Sequence, residues 1–520
     1  MIRFKKTLSI VISSLFLVKL GTALAGDITS ENYQARLEGL DEKVEKVIDD
    51  FNLPGIAIAV VAGGKVIKIK GYGFRDLEKK LPVTENTQFS IGSSTKAFTS
   101  FVIGTLVDEG KLDWYKPVKE YLPQWQMQTP YATENTNLID ILSHRSGLAR
   151  HELIWLANPE LNIEMLLEKL PFLEFSNKGA RQEFIYNNLL YGVAGHIAET
   201  VSSQKWETLV QSRILDKLEM SNTSLTYFDM VNAEDYALPY IEREQRLLST
   251  SFNQSLSEVM RPAGSINSSV KDMSKWLQVL VEEGRFQQKE LIQRNTLFNI
   301  QSPHISITGF NNDSDKSPMH YGLGWFARTY RGHYQVQHGG NVDGFTSAVF
   351  TYPNEDIGIV VLTNKNYSPV PYSLSLDISE MLLTLEPRHH LNALLKKMTA
   401  NGDQNVNVEN YEPTRQSSVA LAAYTGTFHH QGYGEIKILE VEGGLELEYI
   451  EIKERFVASG KNNFISKNTH PFGIFESGEL IFNQGKDGEV VSVQVPFDSS
   501  YPITFNRNKE RKICFFWCVK

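Results

Sequence analysis

Cysteine is nearly missing from this 520-residue chain: only Cys514 and Cys518 occur, both within the last seven residues. A disulfide framework and a cysteine zinc site are therefore excluded as organising principles, and the pair is expected to belong to a frayed tail. No G-x-S-x-G elbow and no H-E-x-x-H occurs, which speaks against an α/β-hydrolase and a zinc peptidase. Large internal repeats and low-complexity tracts are absent. Positive charge is in short supply, with 52 Lys and Arg against 61 Asp and Glu and a net charge of −9. Such an acidic chain is a poor candidate for binding nucleic acid.

No apolar run is long enough to span a membrane. Arg3, Lys5 and Lys6 precede an apolar stretch from Leu8 to Val18, broken by Lys19, and Ala23-Leu24-Ala25 offers small residues where a signal peptidase reads. The stretch is too short and interrupted for an ordinary membrane span, and nothing later resembles one. Residues 1–25 are thus expected to be removed on export to the periplasm or medium, with no stable membrane anchor. Their loss takes four cations and no anions, which deepens the net charge from −9 to −13. What remains is too long for one ordinary domain, and an apolar fraction of 41% is ample for large cores.

Patterning then divides the chain. Leu37, Leu40, Val44, Val47, Ile48 and Phe51 predict one amphipathic helix over residues 33–51, ended by Asn52 and Pro54. Residues 55–73 alternate about Gly63-Gly64, a β-hairpin signal. Residues 89–91 read as extended. From Ala97 to Val107 the apolar spacing predicts a helix with one buried stripe, stopped near Gly110. Short helices are expected at 138–150 and from Leu189, and another at 270–283. Residues 321–364 read as an antiparallel meander with a closing helix at 373–385. A short helix and a polar linker fill 387–418. Beyond it, about eight short strands in residues 419–510 suggest a small antiparallel barrel, followed by a tail at 511–520.

Three motifs carry chemistry. Ser93-Ser94-Thr95-Lys96 opens the helix, placing a hydroxyl and an ammonium one turn apart on one face. A serine needs a base to become a nucleophile, and a desolvated lysine near a helix N-terminus can be that base. Ser-x-x-Lys recurs at Ser202–Lys205 and Ser268–Lys271, so the motif alone decides little. Tyr186-Asn187-Asn188 lies on a loop before the next helix. His338-Gly339-Gly340 is read as falling after one strand and before another. Tyr-x-Asn also occurs at Tyr352 and His-x-Gly at His430. The order of the three, with the phrases ILSHRSGL, PAGSINSS, YGLGW and HGGNVDGFTS, sets these copies apart.

On these residues the chain resembles the serine β-lactamase and penicillin-binding protein superfamily, from about Leu40 to about Leu385. It is most similar to the class C-like branch, with its D-aminopeptidase, DD-carboxypeptidase and esterase relatives. The C-terminal part resembles the lipocalin-like barrel appended to some related serine peptidases. The implied fold is α/β (α+β). A hydrolase domain at 33–386 would have a central antiparallel sheet flanked by helices and an all-helical subdomain, and the barrel would follow. The resemblance makes Ser93 the acylated nucleophile, Lys96 its base and Tyr186 a proton shuttle with a phenol pKa lowered by Lys96. Asn188 would bind the substrate amide and help hold Lys96. His338, Gly339 and Gly340 would line the substrate, the glycines letting it lie against a strand edge. The backbone N–H groups of Ser93 and Asn341 would form the oxyanion hole. No cofactor or metal is implied.

The chain departs from the pattern in having no Lys-Thr-Gly or Lys-Ser-Gly. A histidine in that place captures a carboxylate more weakly, and an ordinary imidazole, with a pKa of about 6.5, would gain charge as the pH falls. The expectation is therefore an exported hydrolase of small peptides, amides or esters. A β-lactamase or penicillin-binding carboxypeptidase, or a non-catalytic sensor of the same fold, stays open. Specificity is assigned to loops 151–178 and 302–320. A homo-oligomer through the barrel is also left open.

Overall fold

The computed structural model describes residues 30–243, 246–251, 257–308, 313–401, 420–466, 478–497 and 501–508. The export segment, most of the linker, and Cys514 and Cys518 lie outside them. A nine-stranded antiparallel sheet dominates the first part. Its middle is built from the hairpin Gly55–Ala62 and Lys65–Asp76 together with the meander Phe326–Tyr330, His333–Val342, Phe345–Tyr352 and Ile357–Thr363. Gly63 and Gly64 turn the hairpin with φ of 57° and 71°, left-handed values that suit glycine at a two-residue turn. Strand Gly55–Ala62 pairs with Ile357–Thr363, Ile56 opposite Thr363, so early and late segments share one sheet.

All eight residues of Gly55–Ala62 are buried because the sheet is covered on both faces. Ile56, Ile58 and Val60 join a core with Val44, Leu374 and Ile378. Ala57, Ala59 and Val61 join the opposite core, with Phe98, Trp276 and Leu277. The alternation of side chains along a strand divides them between the two layers.

Two helix expectations need correction. The helix expected over 33–51 is two helices, Ser30–Arg36 and Leu40–Asp50, broken at Gly39 with φ of 77°. Helix Thr95–Asp108 has no single stripe, since Thr95 through Leu106 are all buried. Phe98 stacks on Trp276 at 4.2 Å. Gly104 admits Ile292, Ile300 and Thr296 so closely that a Cβ there would meet them at 2.8–3.0 Å. A helix enclosed by other helices reads apolar all round. The closing helix is Val370–Leu382, and a further helix spans His390–Asn401.

The C-terminal region is a closed eight-stranded barrel from Gly426–His430 to Ile503–Arg507, the first and last strands pairing at Phe428 and Arg507. Its turn at 430–434 grips the helical region. Lys169 donates to the Gly432 carbonyl at 2.9 Å, His430 meets Glu174 at 2.9 Å, and His151 bonds Tyr433 at 2.8 Å. No helix among the described residues is long and apolar enough to cross a membrane.

Candidate active site

Ser93 lies in a single 3-10 turn, Gly92–Ser94, that feeds directly into helix Thr95–Asp108. Gly92 is left-handed (φ 49°), and a Cβ there would fall 2.9 Å from the Asn341 amide nitrogen. A Cβ on Gly340 would fall 1.9 Å from the Ile91 carbonyl oxygen. These two glycines let the serine turn and strand His333–Val342 meet backbone to backbone. Ser347 secures the junction, donating to the Ile91 carbonyl at 2.8 Å and sharing a 3.0 Å hydrogen bond with Ser94.

His338-Gly339-Gly340 does not link two strands, as the glycine pair suggested. It lies inside strand His333–Val342, opposite Val349, Ala348 and Ser347. Gly340 meets Ile91 too closely for any side chain, and it also lines the pocket beside Gly339. Pairing with Phe326–Tyr330 ends at Gln337. From His338 onward that edge of the strand borders the pocket.

Lys96 is fully buried. Its Nζ lies 3.2 Å from Ser93 Oγ, 2.7 Å from Asn188 Oδ1 and 2.8 Å from the Ala263 carbonyl. The phrase around Pro262-Ala263 thus supplies an acceptor to the lysine, while Thr99 Oγ1 donates to the Pro262 carbonyl. Burial is the main force on Lys96, outweighing support from Glu152, and brings its pKa down to about 7. That is the value a general base needs near neutral pH.

Tyr186 shares a hydrogen bond with Ser93, but burial pushes its phenol up. The expected lowering by Lys96 does not occur: desolvation outweighs every other effect on the phenol, and Lys96, itself brought to about 7, is neutral at the pH where a phenol would ionise. His144 fastens the Tyr186 loop. Its carbonyl accepts from Ile185 N–H at 2.8 Å, its Nδ1 from Asn187 N–H at 3.1 Å, and its ring packs on Tyr186 at 4.3 Å. His144 holds a left-handed φ of 60°, uncommon outside glycine.

His338 is 2% exposed. Its Nδ1 donates to the Gly339 carbonyl at 2.6 Å, leaving Nε2 to accept from the Tyr321 hydroxyl at 2.8 Å. Burial and nearby Lys96 lower its pKa to about 3. The expected charge change near pH 6.5, and carboxylate capture built on it, are overturned.

Ser93, Tyr186, Asn188, His338, Gly339 and Asn341 all line one pocket of about 750 Å³. Phe497, from the barrel, lines it too. The Asn341 side chain bonds Asn366, Tyr367 N–H and Thr346, so only its backbone is available to the site. The other Ser-x-x-Lys copies end in surface ion pairs, Lys205 with Glu258 and Lys271 with Glu85. Glu152, Arg150, His144 and Tyr321 were given no role by the sequence. Two of them sit in the phrases ILSHRSGL and YGLGW, the signal that was present.

An antiparallel sheet covered by helices, with a helix-start serine beside a buried lysine, is the architecture of the beta-lactamase-type serine hydrolases. The beta-lactamase family model matches residues 40–376, and the chain belongs to that family. Among curated relatives, it is 29% identical to unguisins hydrolase ungD of Aspergillus violaceofuscus over 448 residues, covering 79% of this chain and 78% of the relative. It is 27% identical to protein flp of Staphylococcus aureus over 336 residues, 64% of each chain. Among solved structures, the octameric penicillin-binding protein homologue from Pyrococcus abyssi superposes with a TM-score of 0.60 at 20% identity, over 91% of this chain and 98% of that one. A class C beta-lactamase superposes at 0.55 and 19% identity, over 69% and 98%.

Proposed function

We propose that this protein is an exported acyl-enzyme serine hydrolase acting on small peptides, amides or esters. The observation that carries the reading is Lys96, buried, with a pKa brought to about 7, and 3.2 Å from the Ser93 hydroxyl. Neutral Lys96 has two N–H bonds and one lone pair. Asn188 Oδ1 and the Ala263 carbonyl take the N–H bonds, so the lone pair is left for the Ser93 proton. Ser93 Oγ then attacks the acyl carbon. The backbone N–H groups of Ser93 and Asn341 receive the developing oxyanion, each worth about 3 kcal/mol in the transition state. Tyr186, a neutral phenol hydrogen-bonded to Ser93, gives its proton to the leaving group as it receives the one Lys96 took from Ser93. In deacylation water gives a proton back along the same relay, and Ser93 Oγ is reprotonated as it leaves the acyl carbon.

Two further parts of the proposal are removal of residues 1–25 on export and assembly through the barrel. The octameric state of the Pyrococcus homologue supports asking the second question by light scattering. A neutral His338 offers no fixed cation for a carboxylate, which favours peptidase, amidase or esterase action over β-lactam hydrolysis. Wild type and Ser93→Ala should be profiled on p-nitrophenyl esters, D-amino-acid amides and nitrocefin. Turnover of esters or amides that Ser93→Ala loses supports the reading. Nitrocefin as the dominant substrate would turn it toward a β-lactamase, and no turnover by wild type toward a sensor.

A further inference from the structure

We infer that Glu152 is a positioning residue: it locks the Asn188 amide in the one orientation that leaves the Lys96 lone pair facing Ser93. The inference rests on the reading of Lys96 as base. Of the groups around Lys96 Nζ, the Ala263 carbonyl can only accept, whereas an asparagine amide can present either oxygen or NH₂. Were Asn188 reversed, its NH₂ would donate to the neutral lysine and compete with the Ser93 hydroxyl for the lone pair.

Glu152 stands on the far side of that amide. Its two carboxylate oxygens lie 3.2 and 3.1 Å from Asn188 Nδ2. A carboxylate accepts only, so reversal would set oxygen against oxygen. Glu152 is itself held in place. Trp155 Nε1 donates to Oε2 at 2.9 Å, and Arg150 donates to Oε1 at 3.2 Å. The lock thus works in both protonation states of Lys96, and the neutral state, which cannot orient Asn188 by charge, depends on it most.

The same carboxylate acts on Lys96 through space. Among groups facing the lysine, Glu152 raises its pKa and Arg150 lowers it. The rings of Tyr186 and Tyr191 lie 4.9 and 5.2 Å from Nζ, and burial keeps both phenols neutral. Burial likewise keeps His144 and His338 neutral.

The test is the rate of covalent labelling by a fluorophosphonate from pH 5 to 9, with melting temperature read beside it. The proteins are wild type, Lys96→Ala, Glu152→Leu and Glu152→Gln. In Glu152→Leu the plateau rate should fall about tenfold or more, within the range of a displaced general base. Glu152→Gln keeps a carbonyl that can accept from Nδ2 and should recover most of that loss. In both, removal of the anion should move the acid limb to lower pH by about half a unit or more. A Lys96-dependent limb that stays in place in Glu152→Gln, with no better plateau than Glu152→Leu, would overturn this inference alone. Wild-type labelling that is indifferent to Lys96→Ala would overturn the reading of Lys96, and this inference with it.

Discussion

Replacing Gly340 by Ala should separate the two halves of the site. The added Cβ would stand 1.9 Å from the Ile91 carbonyl oxygen and 2.8 Å from Ser347 Oγ. Ordinary contact distances are about 3.5 Å or more, so strand His333–Val342 and the Ser93 turn must part by about 1.5 Å. The blocking atom is backbone, which cannot rotate away as a side-chain tip would. Overpacking of this kind costs about 1–3 kcal/mol of stability. A displacement of about 1 Å in a catalytic array costs about 10²-fold in rate, and here the Asn341 amide would move relative to Ser93. Fluorophosphonate labelling should therefore slow by about two orders of magnitude in a protein that still melts cooperatively. Gly264→Ala is the control, since its Cβ would find nothing nearer than 3.8 Å, the Gly92 carbonyl carbon. It should label within a few-fold of wild type. A Gly340→Ala protein that labels as fast as wild type would refute the close approach of strand and turn.

Tyr186→Phe should lower turnover by at least the ~10²-fold typical of a lost proton carrier while sparing the melting temperature. For a matched ester and carboxylate-bearing substrate, the pH profiles of kcat/KM should run parallel from pH 5.5 to 8, because His338 stays neutral. Both should lose rate as the pH falls through about 7, where Lys96 takes up its proton and ceases to be a base. A selective gain for the acid substrate below pH 6.5 would restore the carboxylate role of His338. Phe497→Ala, opening the barrel side of the pocket, should raise kcat/KM for bulky acyl groups relative to small ones. It should also cost the barrel about 3 kcal/mol or more, measured by denaturant unfolding.

The sequence showed what short stretches encode. Ser93 and Lys96 are three residues apart, so helix geometry alone brought them together. The Gly63-Gly64 hairpin and the eight strands of the barrel were legible for the same reason. The misses all depend on distant neighbours. Gly339-Gly340 reads locally as a turn, and only Ile91, some 250 residues earlier, explains why a strand needs a glycine there. The enclosure of helix Thr95–Asp108 comes from segments far along the chain, Trp276, Ile292 and Ile300 among them. The upward shift of the Tyr186 phenol comes from its complete burial, which the neighbouring residues in the sequence do not reveal. The neutrality of His338 required knowing its burial and the nearness of Lys96. Glu152 carries no motif, and its meaning comes from the Asn188 amide against it. The break at Gly39 was legible, since glycine inside a helical pattern warns of a boundary.

One experiment reads out both Ser93 as the acylated residue and Lys96 as the base that activates it. Intact mass followed by peptide mapping of the fluorophosphonate-treated protein tests both most directly. One adduct is expected, on the peptide carrying Ser93, absent from Ser93→Ala and strongly slowed in Lys96→Ala. An adduct on any other serine, or one that persists in Ser93→Ala, would contradict that expectation.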